Sequence, residues 1–381
     1  MILPAIPLDW KEMRMVWRFL PDLQAIVAGA AAGFFLQRWF LPRYRSLLAP
    51  VLGFIGLGAL LNIRLLFGAV PAQWEIGVRG LAFALAAAFV AAFPVGLFVR
   101  HRLKQNPDPL RRKILQAAVA APIATMGFGI IAARFHPLLV ERDLVIPGLP
   151  ADLHGLKLAQ ISDIHLSPFL SRRELARAVD MLNETRPDIA FVTGDLITGS
   201  RDPLDDCIAE LARLKASSGV YGCHGNHEMY INAEQYASDL AAIHGIQFLR
   251  DQRATLRFGQ ANLNLAGVDY QPKGQPMLRG VAGMVVPNEF NLLLSHTPEV
   301  FSTAQSQGWD LVLSGHTHGG QLNLELFGEQ LNLVRLFTPY TYGHFVEQGT
   351  QLWVTRGLGT VGIPARIGAP PEVVLLRLVK G

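Results

Sequence analysis

Residues 311–320 read LVLSGHTHGG: a short apolar run, then His316 and His318 one residue apart, with glycine on both sides. The run has the length and composition of a buried strand. Imidazole is the commonest protein metal ligand, and glycine lets backbone crowd a site or adopt positive φ. The stretch therefore predicts a strand that ends in a metal site. Two histidines do not fill a coordination shell, so further ligands must come from elsewhere in the chain.

Four other predicted strands end in residues of the same kind. Residues 156–162 lead into Asp163-Ile164-His165, and residues 189–194 into Asp195. Residues 219–223 lead into Gly225-Asn226-His227-Glu228, and residues 290–295 into His296. Helical spacing of apolar residues occupies the intervals at 172–183, 204–214 and 233–243, while 247–265 reads as antiparallel hairpins around Gly259-Gln260. Continuous apolar strands mixed with helices predict buried sheets covered by helices. The expectation is an α/β domain with two central sheets. No Walker A pattern occurs. Ligands in open α/β sheets bind at the carboxyl ends of strands, where all five motifs fall.

The donor set is oxygen and imidazole without thiolate, which suits Mn, Fe or Zn. Asp163, Asp195 and Asn226 with His165, His296, His316 and His318 are too many ligands for one ion and enough for two. A bridging carboxylate would hold two ions ~3.5–4 Å apart, an arrangement that activates water and stabilises in-line displacement at phosphorus. His227 then remains as the histidine best placed to act as a general acid.

In this order, DIH, GD, GNHE, SH and GHTHGG resemble the calcineurin-like metallophosphoesterase family over nearly all of residues 150–381. The tail Thr355-Arg356-Gly357-Leu358-Gly359, with Ile363-Pro364 and Pro370-Pro371-Glu372 beyond it, is similar to the membrane-associated branch, which includes transmembrane metallophosphoesterases and hydrolases of UDP-2,3-diacylglucosamine. The resemblance implies a four-layer α/β/β/α sandwich. It implies that Asp163, His165, Asp195 and His318 bind one divalent ion and Asp195, Asn226, His296 and His316 the other, with Asp195 bridging and manganese favoured. It further implies that His227 protonates the leaving alkoxide, and that His316 and His318 aim at different ions while Thr317 turns away. Glu228 is a candidate to orient His227, or else to brace its loop. Arg356 is a candidate phosphate clamp, against an ordinary ion pair. His224 is weighed as a rim residue and Asp269 as a turn residue. Arg172 and Arg173 read as a solvated helix face.

The first third of the chain differs from the rest. Residues 1–142 carry 16 Lys/Arg against 6 Asp/Glu, a net +10, whereas residues 143–381 carry 18 against 24, a net −6. A nucleic-acid protein would place its basic excess on the folded domain. Here the excess flanks four apolar runs near 23–41, 47–70, 80–99 and 115–133, each close to the ~20 residues that span a bilayer. These predict an N-terminal transmembrane α-helical segment over 1–142 and a metallophosphoesterase domain over 143–381. Arg38, Arg43 and Arg45 mark the first connection, and Arg100, Arg102, Lys104, Arg111, Arg112 and Lys113 the third. Positive loops stay inside, which sets the catalytic domain on the outer or periplasmic face of an inner or plasma membrane. Cys207 and Cys223 lie outside any CxxC pattern and read as two buried free thiols, or as a disulfide if the domain is exported.

The sequence thus predicts an integral membrane, dinuclear metal-dependent phosphohydrolase. Its substrate would be a phosphate ester or pyrophosphate, lipid-linked or close to the membrane, with no nucleic-acid partner. Two other classes remain open: a metal-binding or sensing membrane protein that kept the fold without turnover, and a transporter with a regulatory domain.

Overall fold

The computed structural model describes residues 109–381 apart from 273, 274, 276, 327 and 328. Two compact units divide the chain, one ending at Gly129 and taking in Gly362–Pro364, the other comprising Ile130–Val361 and Ala365–Gly381. In the first, the described residues are 109–129, which belong to helix α1 (Pro109–Ile131), and Gly362–Pro364. The first three apolar runs lie outside the described residues. The fourth is helical, but among the described residues no helix is long and apolar enough to cross a membrane. Arg111, Arg112 and Lys113 occupy the start of α1, leaving 18 residues from 114 to 131. At 1.5 Å per residue these reach ~27 Å, short of the ~30 Å hydrocarbon core.

The second unit is a sandwich of two six-stranded sheets. Its elements are β1 (Leu138–Ile146), β2 (Lys157–Ile161), α2 (Arg172–Glu184), β3 (Ile189–Thr193), α3 (Leu204–Leu211), β4 (Val220–Cys223), α4 (Asn226–Tyr230), α5 (Glu234–Ile243) and β5 (Ile246–Phe248) in the first half. The second half holds β6 (Gln252–Phe258), β7 (Ala261–Gly267), β8 (Phe290–Leu294), α6 (Phe301–Gln307), β9 (Leu311–Ser314), β10 (Asn323–Leu326), β11 (Glu329–Asn332), β12 (Gly343–Glu347), β13 (Thr350–Val354) and β14 (Glu372–Lys380). One sheet runs β1-β14-β2-β3-β4-β5, the other β12-β13-β9-β8-β7-β6, and β10-β11 form a separate hairpin. Within the first sheet β2, β3, β4 and β5 are parallel neighbours, and β14 closes antiparallel on β2. In the second, β7, β8, β9 and β13 are parallel, with β6 and β12 antiparallel at the edges.

Strand alternation assigns the layers. Leu158, Ile189, Phe191, Leu292, Leu294, Leu311 and Leu313 point between the sheets. Their neighbours Ala159, Ile161, Ala190 and Val192 face α2, α3 and α5. Leu293 and Val312 face Phe301 and Ala304 of α6. Both faces of each central strand are therefore buried, which is why these strands read as unbroken apolar runs. The order helix, sheet, sheet, helix is the expected four-layer sandwich. Ser171 caps α2: its side chain accepts from Glu174 N and its own N–H donates to Glu174 Oε2 at 2.6 Å. Leu175, Ala178, Val179 and Leu182 form the buried stripe of that helix. Both thiols, Cys207 and Cys223, are free and buried.

Phe191 is fully buried between the sheets. Phe191→Ala is expected to lower the unfolding free energy by ~3–5 kcal/mol, read by denaturant titration; a loss under 1 kcal/mol would mean that the inter-sheet layer is not the principal core.

Candidate metal centre

Ligand candidates leave the ends of β2, β3, β4, β8 and β9 and meet at one edge of the sandwich. Ligand atoms of Asp163, His165, Asp195 and His318 all lie within 4.8 Å of one another, as do those of Asp195, His296 and His316. Asp195 belongs to both groups. His316 and His318 fall in different groups, as the family resemblance implies. Thr317 points elsewhere, its hydroxyl donating to Thr341 O and accepting from Gly319 N at 3.3 Å.

The backbone is bent to allow this. Asp163, His165, Asp195, His316 and His318 all have positive φ, between 47° and 73°. Non-glycine residues in that region carry strain that the surroundings must hold, and such positions gather at functional sites. Backbone contacts between motifs supply the hold. His227 N donates to Asp195 Oδ1 at 2.9 Å, and His316 N donates to Asp163 Oδ1 at 2.9 Å. The glycines are required by proximity: a Cβ on Gly315 would come within 2.3 Å of Asp163 Oδ2, and one on Gly225 within 2.1 Å of Asp195 Oδ1.

The second oxygen of Asp195 faces both groups. It lies 3.5 Å from His165 Nε2 and 3.1 Å from His296 Nε2. His296 Nδ1 donates to the carbonyl of Thr193 at 2.7 Å, which leaves Nε2 as the ligand atom. His165 and His318 present their Nε2 atoms to each other at 3.1 Å. Asn226 Oδ1 is buried and has no hydrogen-bond partner, and the same holds for His296 Nε2. A buried carbonyl oxygen without a donor is costly, and a cation satisfies it.

Electrostatics agree with a cation site. Burial holds the His165 imidazole down near 3, with His227 adding to it, and burial with His296 holds His316 near 3. Burial, His165 and Arg366 likewise hold His318 well below its usual value. Three imidazoles are thus kept neutral with lone pairs available. Burial lifts the Asp163 carboxyl to about 6, His296 opposing and Asp195 adding to the lift. Burial also disfavours charge on Asp195, but His296, His227 and His165 outweigh it and hold that carboxyl well below its usual range. Burial would lower His296 as well, yet Asp195 and Asp163 overcome it and raise His296 to about 10. Two carboxylates with four imidazoles and an amide oxygen fit a pair of divalent ions.

His227 stands beside this cluster. Its Nδ1 donates to the carbonyl of Thr198 at 2.7 Å, and its ring packs edge-on against His165 at 4.7 Å between centroids. Thr198 also meets His165 Nδ1 through its hydroxyl, at 3.1 Å. One residue thereby orients both rings, and no spacing signal in the sequence marks it. Glu228 does not orient His227. Its carboxylate accepts the backbone N–H groups of Gly225, Asp195 and Leu196 at 2.9, 3.0 and 2.7 Å, so it braces the loop. Arg356 is not free for phosphate, because Nε donates to Glu372 Oε2 at 2.6 Å and its N–H to Oε1 at 2.9 Å. His224 is buried behind the site, stacked on Phe248 at 4.5 Å and bonded to Ser238 at 2.7 Å. Asp269 pairs with Arg250 at 2.8 Å, and Arg172 with Asp206 and Glu210, each at 2.9 Å. Sequence reasoning missed Arg366, which is fully buried and lies 3.4 Å from His318 Nδ1 through NH2.

A calcineurin-like phosphoesterase family model matches residues 156–320. A Helicobacter pylori metallophosphoesterase is 30% identical over 283 residues, covering 71% of this chain and 73% of its own. The zebrafish transmembrane protein with metallophosphoesterase domain is 32% identical over 282 residues, covering 70% of this chain and 63% of that one. The Bacillus subtilis metallophosphoesterase YkuE is 29% identical over 283 residues, covering 70% and 97%. The chain belongs to the calcineurin-like metallophosphoesterase family, whose members carry out metal-assisted chemistry on phosphoesters. It spans less than two thirds of the length of the zebrafish relative.

Two outcomes are expected. Glu228→Ala leaves three buried N–H groups without an acceptor and should cost ~3 kcal/mol of stability, measured by denaturant unfolding; a loss below 0.5 kcal/mol would remove its bracing role. Chelation should lower the melting temperature of the purified chain and Mn²⁺ should restore it, by ~2.7 kcal/mol at a hundredfold excess over the dissociation constant. Asp195→Ala should abolish that response; a Mn²⁺ shift undiminished in the variant would place the ions elsewhere.

Proposed function

We propose that this chain is a membrane-anchored, dinuclear metal-dependent phosphohydrolase acting on a phosphoester or pyrophosphate at or near a lipid surface. The observation that carries the reading is the sharing of Asp195 between two buried ligand groups, with His227 alongside. Asp163, His165, Asp195 and His318 would hold one ion, and Asp195, Asn226, His296 and His316 the other. Bound there, two divalent ions supply Lewis acidity toward the phosphoryl oxygens and make a water more acidic. The oxygen and imidazole donors favour manganese, with iron or zinc as alternatives.

This chain's own residues do the rest. A backbone carbonyl can only accept, so the Thr198 contact fixes the His227 proton on Nδ1. Nε2 is left to carry a second proton toward the departing alkoxide, and the carbonyl steadies the resulting imidazolium. Asp195 and Asp163 are held in register by backbone N–H groups of the next motifs, so the site is assembled before substrate arrives.

The membrane part rests on the apolar runs and basic loops of residues 1–142 and on the naming of the zebrafish relative as a transmembrane protein. Positive loops inside set the catalytic domain outside. An amphipathic precursor confined to the cytoplasm would not meet that site, so the substrate is taken to be on the outer face. Reporter fusions at the C-terminus check this: activity of a reporter that works only in the cytoplasm would invert the topology and move the substrate inside.

For the chemistry, the Mn²⁺-loaded full chain is assayed on matched chromogenic phosphomonoester and phosphodiester substrates. Asp195→Ala should abolish turnover and His227→Ala should reduce it by ~10²–10⁴-fold. Bound metal with no hydrolysis of either ester or of lipid-linked esters would leave a sensing module in place of an enzyme.

A further inference from the structure

The leaving group of the ester has no assigned contact besides His227, and the residues beside that histidine supply one. His227 and Tyr230 are three apart on α4, so they share a helix face. Their ring centroids are 5.6 Å apart with planes inclined by 59°. Tyr270 follows the end of β7; its ring lies 5.7 Å from that of His316 and 6.5 Å from that of Tyr230, edge-on at 73°. Burial, reinforced by Tyr230, pushes the Tyr270 hydroxyl up from its usual value. Tyr270 is 9% exposed and Tyr230 43% exposed. Tyr270 is thus a fixed back wall, and Tyr230 an open rim.

We infer that Tyr230 and Tyr270 form the wall against which the leaving group rests, and that they select a flat aromatic group there over a small aliphatic one. This rests on the assignment of His227 as the acid proposed above. An acid that protonates a departing oxygen lies next to the leaving group, and the side chain next to His227 on the same face is Tyr230. An aromatic face and edge favour a second flat ring through offset or edge-to-face packing. They offer no positive charge for a further phosphate, and Arg356, the cation the sequence suggested for that task, is committed to Glu372. Discrimination on this side of the site therefore falls to shape and π-contact.

The test reads binding without turnover. Phenylphosphonate and methylphosphonate carry the same phosphoryl head and cannot be hydrolysed. Their dissociation constants are measured by calorimetry on the full chain loaded with Mn²⁺, for wild type, Tyr230→Phe, Tyr230→Leu and Tyr230→Ala. Wild type and Tyr230→Phe should bind phenylphosphonate about fivefold more tightly than methylphosphonate. Tyr230→Leu, apolar but without a flat face, and Tyr230→Ala should bring the two to parity while methylphosphonate affinity stays unchanged. Equal affinities in wild type, or a preference that survives Tyr230→Leu and Tyr230→Ala, would overturn the inference. A failure of hydrolysis in the ester assay would sink the catalytic reading and leave this readout intact.

Discussion

The arrangement turns on two carboxylates buried side by side at the ends of adjacent parallel strands. Asp163 and Asp195 follow β2 and β3, and both are essentially without solvent contact. Two buried negative charges at that separation are untenable without compensation. The chain offers two kinds. Backbone N–H groups of His227 and His316 bond to one oxygen of each carboxylate. The other oxygen of Asp195 faces His165 and His296, Oδ1 of Asp163 also faces His318 at 3.4 Å, and Asn226 Oδ1 joins them without any donor of its own. A bound cation would satisfy carboxylates, imidazole lone pairs and an amide oxygen together. The positive φ values at five ligand positions are the conformational cost of that convergence.

The same constraint explains the glycines. Two of the motif loops pass within van der Waals contact of a carboxylate from another loop. Gly225 passes Asp195, Gly315 passes Asp163, and in each place a single added carbon would overlap an oxygen. The loops are locked to one another by backbone contacts, so substitution at one strand end would displace a ligand delivered by another. This is a packing argument at the level of the loop backbone, and it links the short motif strings of the sequence directly to site geometry.

Much of this was legible beforehand, because strands buried on both faces read as continuous apolar runs and their terminal ligands as short polar strings. The central strands, α2 and all seven ligand candidates were read from those signals. The edges were not. β1 (LLVERDLVI) interleaves charge with apolar residues, since Glu141, Arg142 and Asp143 point to solvent while Leu144 and Ile146 are buried; beside a membrane-like run it did not read as a strand. Its partner β14 lies more than 200 residues away, a pairing that no local pattern encodes. Glu228 and Arg356 were identified as residues of interest, but their partners depended on three-dimensional contacts. Glu228 reaches across to the loop that follows β3, and Arg356 to Glu372. Thr198, Tyr230 and Tyr270 carry no spacing signature, because they act through proximity created by the fold.

Arg366 shows how far that dependence extends. A guanidinium wholly removed from water needs acceptors for its donors. It finds them in the carbonyls of Gly359 and Ala369 at 3.0 Å and of Arg356 at 2.9 Å, with Gly357 O at 3.1 Å. These carbonyls belong to the loop between β13 and β14, the segment whose glycines close over Asp163 and Ile164. Burial drops the Arg366 pKa to about 10, so it remains charged at neutral pH. The loop thus curls around a cation on one side and presses on the Asp163 carboxylate on the other. His318 lies between, its Nε2 toward the ligand group and its Nδ1 beside the guanidinium. A neighbouring positive charge disfavours a second proton on that ring. The C-terminal tail, which reads in sequence as family resemblance, acts physically as the clamp that holds one side of the Asp/His cluster.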